Sequence, residues 1–204
     1  LAEFARCGVS ECVGVDGEYV PREHLMIRAN QFRSADLTMP LDVGRRFDLV
    51  ISLEVAEHLP GSTARDFVRS LARHGDVVVF SASIPGQYGR NHVNEQWPSY
   101  WARHFEAEGL AVYDGLRQEI WGRAEVSWWY RQNLMVFARP AAAVRYPDLL
   151  RLADAVRGAP LDVAHPDFMA HFANSLRTAD SVRLSGRQFL RAFLVRLGWR
   201  RRRC

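Results

Sequence analysis

Three acids stand at the ends of candidate strands: Asp16, Asp36 and Glu54. Just past Glu54 stand Glu57 and His58, and a polar, aromatic stretch at 85–97 adds Gln87, His92, Asn94, Glu95 and Trp97. Carboxylates at such positions accept hydrogen bonds from hydroxyl groups and cations. An imidazole, which titrates near neutral pH, can take the proton of a reacting hydroxyl. The cysteines offer no comparable chemistry. Cys7, Cys12 and Cys204 form no CxxC and no Cys/His ligand spacing, so neither a disulfide framework nor a metal site is expected.

The elements that must hold these residues alternate in type. Residues 3–8 read as the end of a helix closed by Gly8. Residues 11–15 (ECVGV) and 31–34 read as short strands, and 47–53 (FDLVISL) as a buried one. Ser62 fits a helix N-cap ahead of a stripe made by Phe67, Val68 and Leu71, which Gly75 ends. A second buried strand follows at 76–82 (DVVVFSA), then a helix at 98–108 closed by Gly109, then strands at 110–116 and 133–139. Short apolar strands alternating with helices predict a mostly parallel α/β sheet covered on both faces. Ligands in such sheets sit at the carboxyl ends of the strands, where Asp16, Asp36 and Glu54 fall.

After residue 139 the pattern changes. The Pro-Ala-Ala-Ala at 140–143 reads as a linker, and 147–157, 166–182 and 185–201 read as helices. Two parts are therefore expected, 1–139 and a helical extension at 140–204.

The block FDLVISLEVAEHL at 47–59 resembles the fourth-strand motif of class I S-adenosylmethionine (SAM) methyltransferases, and the resemblance covers about residues 1–139. The stretch SASIPGQYGRNHVNEQWPSYW at 81–101 resembles a bacterial subgroup with a long loop after the fifth strand, often encoded beside glycosyltransferase genes. The resemblance implies a Rossmann-like sheet, SAM as cofactor, and methyl transfer to a small-molecule or glycan-linked acceptor at oxygen. It implies that Asp16 accepts hydrogen bonds from the SAM ribose, and that Asp36 with Leu37 meets the adenine edge. Ser52, Leu53 and Glu54 then line the methionine side, and Glu57 and His58 lie near the transferred methyl. In the 85–97 loop, His92 is a further candidate base, and Gln87, Asn94, Glu95 and Trp97 are candidate acceptor-binding residues. The family's first strand and its Gly-rich loop, an acid followed by G-x-G-x-G, belong just before Leu1 and are absent. A truncated N-terminus, leaving the sheet without its central strand, is the expectation.

Each of these residues also has a plainer reading. Asp16-Gly17 is a common turn pair, Glu57 suits the first turn of a helix, and the 85–97 loop is a candidate Ω-loop. Trp128, Trp129 and Tyr130, placed on the approach to the last strand, read as packing residues. His24, His74, His104, His165 and His171 read as structural or exposed, and Cys7 and Cys12 as small core residues.

Composition bounds the rest. Apolar residues make up 48% of the 204-residue chain and charged residues 25%, enough for a core and too few charges for disorder. No apolar run approaches the ~18 residues of a membrane span, no period repeats, and reducing cytoplasm is the expected compartment. All 27 basic residues are Arg, which reads as genomic composition. Eight of them fall in 183–204 with no acid, leaving 19 Arg against 23 acids elsewhere. That tail reads as a basic amphipathic helix, with Phe189, Phe193 and Leu197 on one side and Arg183, Arg187 and Arg191 on the other. It suits an anionic membrane surface, or packing on the body or a partner. No nucleic-acid reading module accompanies it, so no nucleic-acid partner is expected. The rival to an enzyme is a non-catalytic truncated remnant or a peripheral membrane-binding protein that uses this tail.

Overall fold

The computed structural model describes residues 1–155 and 157–181. The chain packs as two units, the first being Leu1–Val163 and the second beginning at Ala164. The basic tail at 183–203 and the helix expected at 185–201 lie outside the described residues.

The first unit opens with helix α1 (Ala2–Arg6), ended by Gly8 at φ +90°. Strands β1 (Gly14–Asp16) and β2 (Phe32–Ser34) pair in parallel, with Asp16 opposite Ser34. The chain continues through β3 (Val50–Leu53), α2 (Ala64–His74), β4 (Val77–Ser81) and α3 (Pro98–Ala107). It then forms β5 (Ala111–Tyr113), α4 (Gly115–Ile120), α5 (Trp128–Asn133) and β6 (Met135–Ala138), and ends with α6 (Pro140–Ala143) and α7 (Pro147–Ala155). The second unit contributes α8 (Pro166–Ser181), with Pro166 in its first turn, where the missing N–H leaves no bond unmade.

The larger sheet has the order β3-β4-β6-β5. β3 and β4 run parallel, and β6 is antiparallel to both β4 and β5. Three of the four strands therefore point the same way, and β6 alone is reversed. Alternation along the strands sends side chains to opposite faces. Val78, Phe80, Met135 and Phe137 join Phe67, Val68 and Leu71 of α2 and Trp101 and Phe105 of α3 in one core. Phe105 stacks on Phe137 with ring centroids 3.9 Å apart. Val77, Val136 and Ala138 face the other way, onto Ala142 and Ala143 of α6, Leu116 of α4 and Leu149 and Leu150 of α7. The result is a Rossmann-like α/β fold with helices on both faces of its sheet, as the alternating pattern predicts.

The β1–β2 pair forms a separate two-stranded sheet. Among the described residues no strand pairs with the outer edge of β3, and this changes its burial. Residues 47–53 read as fully buried, yet only Ser52 of β3 is buried, whereas four of the five β4 residues are. Upstream, Phe47 makes one parallel bridge to Gly75. The segment between β2 and β3 is tied to α2 instead. The buried His74 ring donates from Nδ1 to the Ser70 carbonyl at 2.6 Å, and its Nε2 accepts the Val43 N–H at 2.9 Å. These two bonds settle its tautomer and its structural role.

Several local expectations change. Ser62 is not the cap of α2: residues Gly61–Thr63 form a 3₁₀ turn, Thr63 takes the cap position, and its hydroxyl donates back to the Pro60 carbonyl at 2.8 Å. The strand expected at 110–116 stops at Tyr113, because Gly115 already opens α4. Trp128, Trp129 and Tyr130 lie on the helix α5 rather than on a strand. Residues 140–143 form a helix whose Ala142 and Ala143 are buried against the sheet, not a linker. Cys12 is buried, but Cys7 is exposed at the end of α1. No helix among the described residues is long and apolar enough to cross a membrane.

Candidate active site

β3 delivers its chain to a sharp turn. Glu54, the first residue after the strand, sits at φ +53°, an unusual conformation for a residue with a side chain. Its N–H is held by the Ser81 carbonyl at 3.0 Å and the Ser81 hydroxyl at 3.1 Å, both at the end of β4. The turn aims the Glu54 carboxylate into a nest of donors. Asn133 Nδ2 lies 3.1 and 3.3 Å from its two oxygens, Gln87 Nε2 3.3 Å from Oε2, and Ser83 Oγ 3.3 Å from Oε2.

A 3₁₀ turn at Ala56–His58 then places Glu57 inward and His58 outward. Glu57 is 0% exposed. Ser83 Oγ is 3.1 Å from Glu57 Oε1, and its single proton serves only one of the two carboxylates at a time. Glu57 Oε2 has no hydrogen-bond partner. Burial, and secondly the Glu54 charge beside it, push the Glu57 carboxyl up to about 8. At neutral pH it carries its proton.

The 85–97 loop closes over this turn. The N–H groups of Val93 and Asn94 both donate to the Glu57 carbonyl, at 2.9 and 3.0 Å. That anchor brings the His92 ring edge-on to His58, with centroids 4.9 Å apart at 81°. His92 Nδ1 is 3.1 Å from Glu95 Oε1, and Glu95 Oε2 accepts the Gly86 N–H at 2.9 Å. His58 Nδ1 faces the Asn91 carbonyl at 3.4 Å. One oxygen of Glu57 and one nitrogen each of His58 and His92 all lie within 4.8 Å of one another. Residues 34 positions apart thus meet in one cluster, although their spacing matches no metal-ligand pattern in the sequence.

The remaining loop residues divide by burial. Gln87 and Asn94 are buried, Gln87 accepting Asn133 Nδ2 at 2.9 Å and Asn94 accepting Gln96 Nε2 at 3.1 Å. Trp97 precedes the Pro98 that starts α3 and is exposed, as is Tyr88.

Asp16, Asp36 and Leu37 form the second group of candidates, at the carboxyl ends of β1 and β2. Asp16 Oδ1 accepts the Gly17 N–H at 2.7 Å and the Tyr19 hydroxyl at 2.6 Å. The Asp16 carbonyl accepts the Ala35 N–H at 2.9 Å, which ties the two strand ends together. Asp36 makes an Asx turn with the N–H and hydroxyl of Thr38, which hold its carboxyl below its ordinary range. Leu37 packs on the main core. Ser52 is buried within β3 and its hydroxyl has no partner. A hollow of about 630 Å³ lined by Ala2, Leu25, Met26, Ile27 and Arg28 contains none of the candidate residues.

Ser81, Ser83 and Asn133 are the site residues that sequence reasoning missed. Their types are ordinary, and only the approach of β4 and α5 to the Glu54 turn gives them a role.

No family model and no curated protein matches the chain. Among solved structures, TnmH is 16% identical over 68% of this chain and 46% of its own, with a TM-score of 0.45. Magnesium protoporphyrin IX methyltransferase (ChlM) from Synechocystis PCC 6803, solved with bound SAH, is 17% identical over 52% of this chain and 48% of its own, with a TM-score of 0.34. The chain spans about half the length of each. Neither likeness bears on the site, whose chemistry rests on its own residues.

Proposed function

We propose that this chain belongs to a SAM-dependent methyltransferase that methylates an oxygen of a small-molecule or glycan-linked acceptor in a reducing cytoplasm. The observation that carries the reading is the position of the acids. Asp16 and Glu54 each stand at the carboxyl end of a parallel strand, in two sheets of one Rossmann-like unit. That is the side on which open α/β sheets bind ligands.

In this reading the Asp16 carboxylate takes the ribose hydroxyls, Asp36 and the Leu37 backbone meet the adenine edge, and Ser52, Leu53 and Glu54 border the methionine portion. The acceptor enters beneath the 85–97 loop, where exposed Trp97 and Tyr88 offer aromatic faces to a sugar and Glu95 borders the entry. Gln87 and Asn94, buried within the loop, set its shape. SAM, when bound there, would supply an electrophilic methyl carbon on its sulfonium, with a neutral thioether as the leaving group. The acceptor proton passes to an imidazole, His92 or His58. Glu95 fixes the His92 ring at Nδ1, which leaves Nε2 as its basic atom. Protonated Glu57 adds no second negative charge beside Glu54. Much of the rate enhancement comes from alignment of oxygen, carbon and sulfur.

The test is transfer of label from methyl-tritiated SAM to a panel of hydroxyl-bearing sugars and glycosylated small molecules. Label in an ether product supports the reading. Absence of any labelled ether, or label only on nitrogen, contradicts oxygen methylation.

A further inference from the structure

We propose that Glu57, His58 and His92 form a binding site for a divalent first-row transition-metal ion such as Zn²⁺. The inference departs from the sequence expectation of no metal and does not depend on methyl transfer: an imidazole that binds an ion through Nε2 and one that takes a proton there are alternative states of the same ring. The three side chains come from a turn after β3 and a loop after β4, and each presents one donor atom within 4.8 Å of the other two. The ligand atoms of a tetrahedral ion at about 2.0–2.2 Å stand about 3.3–3.6 Å apart, so side-chain rotations of about 1 Å bring this cluster onto one ion.

A second observation concerns the same carboxyl. Glu57 is 0% exposed, and its Oε2 has no hydrogen-bond partner. A buried carboxyl oxygen is satisfied by a proton, a water or an ion, and an ion that binds here displaces the proton Glu57 carries in the metal-free protein. The imidazoles are prepared in the manner of metal ligands. Each has Nδ1 against an oxygen acceptor, the Asn91 carbonyl for His58 at 3.4 Å and the Glu95 carboxylate for His92 at 3.1 Å. In the tautomer that donates Nδ1–H to these oxygens, Nε2 of each ring keeps the lone pair, and an oxygen acceptor on the far nitrogen is the usual support of a ligating histidine. Gly89 makes room for this arrangement. A Cβ there would stand 2.0 Å from His92 Nε2, 2.2 Å from Cε1 and 2.5 Å from Cδ2. Those nearly equal distances place it over the face of the ring, not along the nitrogen lone pair, so the glycine backbone seats the ring without blocking Nε2.

Two imidazoles and one carboxylate suit Zn²⁺, Co²⁺, Mn²⁺ or Fe²⁺ better than Mg²⁺ or Ca²⁺, which prefer all-oxygen sites. Three protein ligands leave a position open for water or a hydroxyl, and the exposed side of His58 gives it access to solvent.

The experiment is titration of Zn²⁺ into the chelator-stripped 204-residue protein by calorimetry, with Co²⁺ absorption as a second probe. One ion per chain, a dissociation constant in the micromolar range or tighter, and visible Co²⁺ d–d bands are expected. His58→Ala and His92→Ala should each weaken Zn²⁺ binding by roughly 100-fold or more, as should Glu57→Gln. Glu95→Gln, which only positions His92, should weaken it about 10- to 100-fold, while His24→Ala, far from the cluster in sequence and exposed, should bind as the parent does. His58 is exposed, so its variant tests the site without disturbing the buried network around Glu57. Absence of Zn²⁺ binding by the folded parent would overturn the proposal and leave Glu57 Oε2 to a proton shared with Glu54. Binding undiminished in His58→Ala, or lost in His24→Ala, would overturn it equally.

Discussion

Asn133 and Glu54 stand 79 positions apart in the chain, yet the Asn133 amide nitrogen lies 3.1 Å from Glu54 Oε1 and 3.3 Å from Oε2. The same nitrogen reaches Gln87 Oε1 at 2.9 Å. The end of α5, the turn after β3 and the loop after β4 are thereby joined through one amide. Asn133→Ala removes donors from two acceptors in a largely buried network, so a loss of about 1–3 kcal/mol is expected, read as a lower urea midpoint with unchanged slope. Asn133→Asp, which puts a third carboxylate against Glu54 and Glu57, should lose more.

Glu57 predicts how stability varies with pH. Its carboxyl is raised from 4.5 to about 8 in the fold, first by burial and then by the Glu54 charge. Between those values the native state holds a proton that the unfolded chain has released. Unfolding stability of the metal-free protein should therefore be highest near pH 4.5 as far as this group is concerned. It should fall as pH rises to about 8 and level off beyond, by on the order of a few kcal/mol. Glu57→Gln, neutral throughout, should flatten that slope and exceed the parent in stability at pH 8. Urea unfolding at several pH values in the presence of chelator measures both.

His74 should prove structural. Both ring nitrogens are engaged, with the Ser70 carbonyl and the Val43 N–H, in a buried position. His74→Ala leaves the Val43 N–H unpaired and opens a void, which should lower stability by about 2–4 kcal/mol. Binding of S-adenosylhomocysteine, measured well below the variant's melting temperature, should be unchanged.

Gly115 marks a close approach between helices. A Cβ there would lie 2.3 Å from Leu152 Cβ and 2.4 Å from the Leu152 backbone carbon. Neither atom is the end of a flexible side chain, so Gly115→Ala must displace α7 from α4. A loss of about 1–3 kcal/mol in thermal or urea unfolding is expected, even though alanine is the better helix former.

Where element identity was carried by the local pattern, it was readable. The run VVVFS needs burial on both faces and becomes β4, and Gly109, at φ +79°, closes α3 where a left-handed residue is required. The acids at the ends of β1 and β3 were legible for the same reason, since each follows directly on its apolar run. What depended on neighbours was not. The residues VISL look fully buried, but their burial is decided by whether a strand lies on each side of β3. Trp128, Trp129 and Tyr130 carry strand propensity, yet tertiary context sets them in a helix. The meeting of His92 with Glu57 and His58 rests on two backbone hydrogen bonds to the Glu57 carbonyl, which no spacing in the sequence records.

Cofactor binding is the most direct measure of the central claim. S-adenosylhomocysteine would be titrated calorimetrically into the protein and into Asp16→Ala. The account predicts saturable one-to-one binding by the parent, weakened at least about tenfold in Asp16→Ala by loss of the carboxylate–ribose hydrogen bonds. Binding equal in both proteins would remove Asp16 from the cofactor site, and no binding by the folded parent would contradict the assignment of SAM.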